Sequence, residues 1–314
     1  MGQIPSWNGK PYRSLDYTLR EKFGEKIYKV SLNGGMTCPN RDGTLGSRGC
    51  IFCSQGGSGD FAGDPSLGIH EQIEAQKRQL LRKFPARRFL AYFQAYTNTY
   101  APVSYLRPLF EDALSHPDIA GLSVGTRPDC LPEDVLSLLD ELNQKKPVSV
   151  ELGLQTIHPS TAAFIRRGYP LSVFDDSVRR LRERQIEVVV HTILGLPGEN
   201  LEAMLETIEY LNHADIQGIK LQLLHVLEGT DLADYYRKTG FPIMSEDQYV
   251  DTVIACLEHL SSEITVHRVT GDGPKALLIA PLWSCRKTAV LNHLHHEMKV
   301  RPAWQGRLCK KEVS

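Results

Sequence analysis

Three cysteines stand in one loop rich in Gly, Asn, Asp and Arg, CPNRDGTLGSRGCIFC at 38–53, with the spacing Cys38-x11-Cys50-x2-Cys53. Clustered thiols point to metal or redox chemistry. A structural zinc site closes with four ligands, usually as two CxxC-like pairs. The nearest further cysteine here is Cys130, after a later strand, and His70 falls inside a helical pattern. A thioredoxin-like CxxC stands at a helix start and has no need of Cys38. Three thiolates on a [4Fe-4S] cluster leave one iron open, as a catalytic metal keeps one position free, whereas electron-transfer clusters use four cysteines. Phe52 offers an aromatic shield beside the last cysteine, and Gly43, Gly46 and Gly49 permit tight turns around a metal.

The elements that must position this loop form a repeating pattern. Residues 26–32 (KIYKVSL) read as the strand that feeds it. Further strands at 88–96, 121–126, 148–156, 186–198, 218–226 and 264–271 alternate with helices at 69–84, 103–115, 132–144, 174–185, 200–214 and 247–261. Pro132 followed by acids suits a helix start. Strands apolar on both faces, alternating with helices, predict a parallel sheet. Six or seven such units predict an α/β fold: a partial (β/α)6-type barrel over 26–272, between an N-terminal extension (1–25) and a basic C-terminal extension (273–314). The strand ends carry Gln94, Thr126, Arg127, Glu151, Gln155, His191, Gln222, His225, His267 and Arg268. In barrels that C-terminal rim holds the active site. Cys130, His225 and His267 fit either structural or catalytic roles, and Cys256 reads as core.

At 314 residues and 41% apolar composition, the chain can bury one large α/β core or two small ones. Its net charge of -1 excludes a global basic field, so a nucleic-acid partner needs a local patch. The tail provides one candidate: Arg286, Lys287, Lys299, Arg301, Arg307, Lys310 and Lys311 lie against the single acid Glu297, with Trp304 and three histidines interleaved. Such side chains contact phosphates and stack on unpaired bases. The basic run 179–184 (RRLRER) fits a solvated helix face. No run of about eighteen apolar residues predicts a membrane span, and the N-terminus has no apolar signal region, so the expected setting is the reducing cytoplasm.

The cysteine loop after the first strand, with its aromatic-bearing x2 pair, resembles the radical S-adenosylmethionine (SAM) superfamily. Its x11 gap resembles the branch that includes the Elongator catalytic subunit. VELGLQT (150–156), FIRRGY (164–169) and HTILGLPGE (191–199) resemble the coproporphyrinogen-oxidase-like radical enzymes, as does LLHVLEGTDL (223–232). With CPNRDGT and VTGDGP (269–274), the whole chain resembles a small bacterial family associated with maturing the tRNA wobble uridine, through loss of the carboxymethyl part of a carboxymethylaminomethyl group.

The resemblance implies that Cys38, Cys50 and Cys53 hold a [4Fe-4S] cluster and that SAM chelates the open iron. A 5'-deoxyadenosyl radical then abstracts substrate hydrogen. It implies SAM contacts at Gln155 and Arg167, at Thr126, and at His191, where relatives often carry an acid. The usual Gly-Gly-Glu after the second strand is replaced by FQAYTNT (93–99), which leaves Gln94, Tyr96 and Asn98 as candidates. The implied partners are tRNA and an electron donor such as flavodoxin or ferredoxin. Two other readings stay open at this level: a radical SAM enzyme on a small metabolite, and a non-catalytic iron-sulfur protein.

Overall fold

The computed structural model describes residues 5–57, 59–271 and 273–310. Its strands are β1 (Ile27–Leu32), β2 (Arg88–Phe93), β3 (Ile119–Thr126), β4 (Val148–Gln155), β5 (Glu187–Leu194), β6 (Gly218–Leu223), β7 (Val226–Leu227), β8 (Thr265–Arg268) and β9 (Leu278–Ala280). Its helices are α1 (Leu15–Phe23), α2 (Ile69–Leu81), α3 (Val103–Ser115), α4 (Glu133–Asn143), α5 (Pro159–Phe164), α6 (Leu171–Glu183), α7 (Leu201–His213), α8 (Asp231–Thr239), α9 (Glu246–His259) and α10 (Lys287–Val300). Seven parallel strands form one curled half-barrel in the order β1-β2-β3-β4-β5-β6-β8, and β7 pairs with β9 in a separate antiparallel ribbon. The seven parallel strands correspond to the seven expected from the sequence, the last of them, β8, within 264–271.

The sheet alternates with period two. On β4 the outward residues Val148, Val150, Leu152 and Leu154 are buried against helices. The opposite face carries Glu151, Gly153 and Gln155 into the lumen. On β6 the outward residues are Ile219, Leu221 and Leu223, while Lys220 and Gln222 face the lumen. The expectation of strands apolar on both faces is corrected here: the outer face is apolar, while the inner face mixes polar residues such as Glu151 and Lys220 with apolar ones such as Ile193. The lumen is therefore built as a site and not as a packed barrel core.

Helices seal the outer face by apolar stripes. On α3, Leu106, Phe110 and Ala113 are fully buried, and Phe110 meets Phe93 edge-on at 5.0 Å. Burying one such ring stabilises the fold by roughly 2–3 kcal/mol. The open edge at β8 is not left bare. Val266 donates its N–H to the Arg13 carbonyl at 2.7 Å, so the N-terminal segment covers that edge. Ser14 then caps α1 and Gly24, at φ 75°, ends it.

Candidate active site

The chain after β1 runs into the cysteine loop, which folds as nested turns. Arg41 and Asp42 donate to the Cys38 carbonyl, Gly49 donates to the Asn40 carbonyl at 2.7 Å, and Cys53 donates to the Cys50 carbonyl at 3.1 Å. Gly43 and Gly49 take φ 94° and 75°, conformations that an L side chain resists. The x11 gap is thereby a compact knot, pinned from outside. Asn40 Nδ2 donates to the Arg166 carbonyl at 2.7 Å and lies 3.4 Å from Cys50 Sγ. Ile51 is held between α5 and α8: its N–H reaches the Ile165 carbonyl, and its carbonyl accepts from Leu232 at 2.8 Å. Asp231 pairs with Arg166 at 2.5 Å and with Arg48 at 3.4 Å, and so ties the loop's rim to the first turn of α8.

All three cysteines are half-buried and none is in a disulfide, and all three line one cavity of about 400 Å³, the size range of ligand sites. Phe52 lines it as well. Burial pushes the Cys50 thiol up to about 11, the neighbouring Cys53 adds to this, and Asn40 and Arg127 oppose it. Arg41 donates to the carbonyls of Cys53 and Ser54 at 3.0 and 2.5 Å, and its guanidinium lies over the Tyr96 ring. A cation thus stands beside the cysteine loop. Neither sequence candidate for a fourth ligand turns to this loop. His70 bonds the Asp112 carbonyl and Ser115 of α3. Cys130 is buried and lies outside the cavity lining. Among the described residues, the three groups drawn tightly enough for a single ion are Glu74, His116 and Asp118, and Lys77 already bonds both of those carboxylates. The donor set of the cysteine loop, three thiols and an open side, fits a cluster with one unligated iron.

The wall opposite the cysteines carries several of the expected contacts. Gln94, Tyr96, Thr126, Gln155, Arg167 and His191 all line the cavity. Gln155 sits at φ 69° where the β4–β5 register shifts, and its buried Oε1 has no partner among the described residues. Strained backbone and an orphaned acceptor at a cavity wall are features of a ligand contact. Arg167 supports this turn: it donates to the carbonyls of Leu154, Thr156 and Tyr169 around Gln155. Thr126 Oγ1 lies 2.5 Å from Thr99 Oγ1. Tyr96, at φ 59°, closes over Gly57, where a Cβ would meet its ring at 2.3 Å.

Asn98 departs from expectation. It is fully buried outside the cavity lining and donates to the carbonyls of Phe93 and Gly125, which joins the ends of β2 and β3. Thr97 takes the cavity position instead.

Glu151 and His191 are not rim residues but lie deep in the lumen. Glu151 Oε1 accepts from Lys29 and from Ser123 at 2.9 Å. Its Oε2 accepts from Lys220 and lies 2.7 Å from His191 Nε2. Burial alone would raise the Glu151 carboxyl, but Lys220, Lys29 and His191 hold it well below the usual range. Burial, reinforced by Lys220, pushes His191 down to about 4, so it is neutral at pH 7. His267 is half-buried, with a buried Nδ1 that has no partner among the described residues, in space that Gly218 leaves open. His225 reaches Ser284 at 3.1 Å. Lys29, Arg41 and Lys220 were missed by the sequence reading. A charge inside an otherwise apolar strand was the available signal for Lys29 and Lys220.

The tail does not gather its cations into one patch. Arg286 pairs with Glu246 at 3.5 Å, Arg301 with Asp251 at 2.7 Å, and Arg307 with Glu258. These acids run from the first turn of α9 to its last, about 20 Å at 1.5 Å per residue. Because α9 leads into the start of β8, Trp304 and Arg307 lie at the end of the barrel away from the rim. Lys287 and Lys299 are exposed on α10, and Lys311 falls outside the described residues.

Comparison with known proteins agrees with this architecture. Residues 43–211 match the Radical SAM superfamily, and residues 216–300 match the Radical_SAM C-terminal domain. The Bacillus subtilis protein YtqA is 45% identical over 302 residues, 96% of this chain and 94% of that one. A more distant relative, the tRNA uridine(34) acetyltransferase of Methanocaldococcus jannaschii, is 22% identical over 161 residues, 50% of this chain and 29% of its own length. Among solved structures, the Elp3 of Methanocaldococcus infernus with an N-terminal deletion superposes with a TM-score of 0.69 at 16% identity. The match covers 89% of this chain and 64% of that one, and shows the fold.

Proposed function

We propose that this chain, which belongs to the radical SAM superfamily, matures the tRNA wobble uridine by converting carboxymethylaminomethyluridine to aminomethyluridine. Its cofactors are a [4Fe-4S] cluster and S-adenosylmethionine. Once bound and reduced by one electron, they supply a 5'-deoxyadenosyl radical that takes hydrogen from the substrate. The observation that carries the reading is the convergence on one cavity of three cysteine thiols and a Gln155 acceptor that has no partner among the described residues.

Within this proposal Cys38, Cys50 and Cys53 hold the cluster, and the turns of the x11 knot hold the thiols. Gln94, Tyr96, Thr126, Gln155 and His191 contact SAM, with Arg167 orienting Gln155 through its backbone. A flavodoxin or ferredoxin supplies the electron. The distant match to a tRNA uridine(34) enzyme supports the choice of RNA. The exposed tail residues Arg286, Lys287, Lys299, Arg301 and Arg307, with Trp304, are the proposed tRNA contacts; their surface ion pairs are worth little and can be exchanged for phosphate. The test incubates reconstituted enzyme, SAM and reductant with tRNA carrying carboxymethylaminomethyluridine, followed by nucleoside mass spectrometry. Aminomethyluridine should form in step with 5'-deoxyadenosine. SAM cleavage that leaves the tRNA unchanged contradicts the assignment.

A second reading, a small metabolite as substrate, is favoured by the dispersal of the tail cations over the length of α9. It predicts turnover that is insensitive to salt, whereas RNA binding weakens steeply as salt rises.

A further inference from the structure

A second basic surface stands at the end of the half-barrel away from the cysteine loop. The sequence holds no acid between Glu74 and Glu111, while Lys77, Arg78, Arg82, Lys83, Arg87 and Arg88 all fall within 77–88. Arg78 lies in the last turn of α2, Arg82 one turn on at its C-cap, and Lys83, Arg87 and Arg88 lead into β2. Strand β2, 6 residues long, separates this group from Gln94 at the cavity wall by about 20 Å at 3.3 Å per residue.

Most of these cations have no counter-charge. Lys77 is tied to Glu74 and Asp118, and Arg88 lies 4.0 Å from Glu25. Arg78, Arg82, Lys83 and Arg87 are exposed, and none has an ion-pair or side-chain hydrogen-bond partner among the described residues. In the tail, by contrast, Arg286, Arg301 and Arg307 each face an acid, and so do Arg179, Arg180, Arg182 and Arg184 on α6 and just past its end. The helix dipole favours cations at the end of α2 and accounts for Arg78 and Arg82. It does not account for Arg87 beyond the turn, or for the apolar surface left among the charges. Leu81 is 49% exposed and Phe84 42%. Phe84 stacks on Tyr28 at 5.2 Å, and Lys26 Nζ lies 4.9 Å from the Tyr28 ring and 5.8 Å from the Phe84 ring. Cations interleaved with an exposed aromatic suit a nucleic acid: the charges take phosphates and the ring takes an unpaired base.

We propose that Arg78, Arg82, Lys83 and Arg87 bind the phosphate backbone of the RNA substrate, with Phe84 open to an unpaired base. The inference rests on the reading that the substrate is a tRNA, and adds where its backbone runs. One nucleotide enters the cavity at the rim, and the chain continues about 20 Å down the outside of α2. A free nucleoside does not span that distance. An acidic electron donor has to stand at the rim beside the cysteine loop, so this far end does not suit it.

The test measures binding of a labelled, unmodified tRNA transcript to the reconstituted full chain by fluorescence anisotropy, between about 50 and 200 mM salt. The variant Arg82→Gln/Lys83→Gln/Arg87→Gln should bind at least about tenfold more weakly, and its slope of log affinity against log salt should be shallower by about two to three. Its melting temperature should match wild type, because the three side chains are exposed. The single variants Arg82→Gln and Arg87→Gln should each remove about one unit of slope. Wild-type affinity and slope in the triple variant overturn the inference. So does binding of phosphatidylglycerol vesicles in place of tRNA. So does a triple variant that binds tRNA normally but loses SAM cleavage with flavodoxin while keeping it with dithionite. If the transcript binds through these cations and tRNA carrying carboxymethylaminomethyluridine is not converted, the surface stands and the wobble-uridine assignment falls. If that tRNA is converted and the triple variant binds it as wild type does, the assignment stands and the surface falls.

Discussion

Replacing Glu151 with Gln keeps the shape of the side chain and removes its charge. Glu151 is 1% exposed and accepts from two ammonium groups, a serine hydroxyl and an imidazole. Gln offers one acceptor oxygen and turns an NH2 toward one of the cations. Lys29 or Lys220 is then left buried without its partner. Breaking one side of a buried ion pair costs roughly 3–5 kcal/mol. That is a large share of the 5–15 kcal/mol or so that stabilises an ordinary domain. Urea unfolding of the cluster-free protein should show this loss for Glu151→Gln. The double variant Glu151→Gln/Lys220→Met should recover part of it, with a coupling of about 1–3 kcal/mol in the double-mutant cycle. A loss under about 1 kcal/mol for Glu151→Gln, or strict additivity in the double variant, would refute the idea that these charges depend on one another.

Gln155→Gly should relieve the left-handed backbone at φ 69° and raise stability by about 1 kcal/mol, while weakening SAM binding; melting temperature and SAM affinity measured together check both halves. Asp231→Ala cuts the ties to Arg48 and Arg166, so iron should be lost faster under a chelator while the melting temperature of the cluster-free protein changes little. Lys220 gives a pH signature. Its folded value of about 7 lies below the ordinary 10.5, so between those values the unfolded chain binds the extra proton. Unfolding free energy contributed by this group therefore rises with pH across that window, and the rise should be missing in Lys220→Met when unfolding is followed from pH 7 to pH 9.

The strands were legible because each is a short apolar run closed by turns. Their ends were overrun: β5 stops at Leu194 and not at 198, since the apolar residues beyond it, such as Leu196, pack under the loops. Helix α10 was hidden by composition. A cluster of Lys, Arg and His drew attention to charge, while Val290, Leu294 and Met298, spaced four apart, formed the buried stripe against α9. Helices α1 and α8 were also missed, although Ser14 with Gly24 and Thr230 with Gly240 mark their ends. The three cysteines stood out by type and spacing alone. The buried charge cluster did not, because Lys29, Glu151 and Lys220 come from three separate strands and meet only when the sheet curls.

The central claim is that Cys38, Cys50 and Cys53 hold a cluster with one open iron. Mössbauer and EPR spectra of the anaerobically reconstituted protein, recorded before and after SAM is added, test it most directly. The account predicts about four irons per chain, with one iron distinct from the rest and shifted by SAM. Four equivalent irons that ignore SAM, or tightly bound zinc in place of iron, would contradict it.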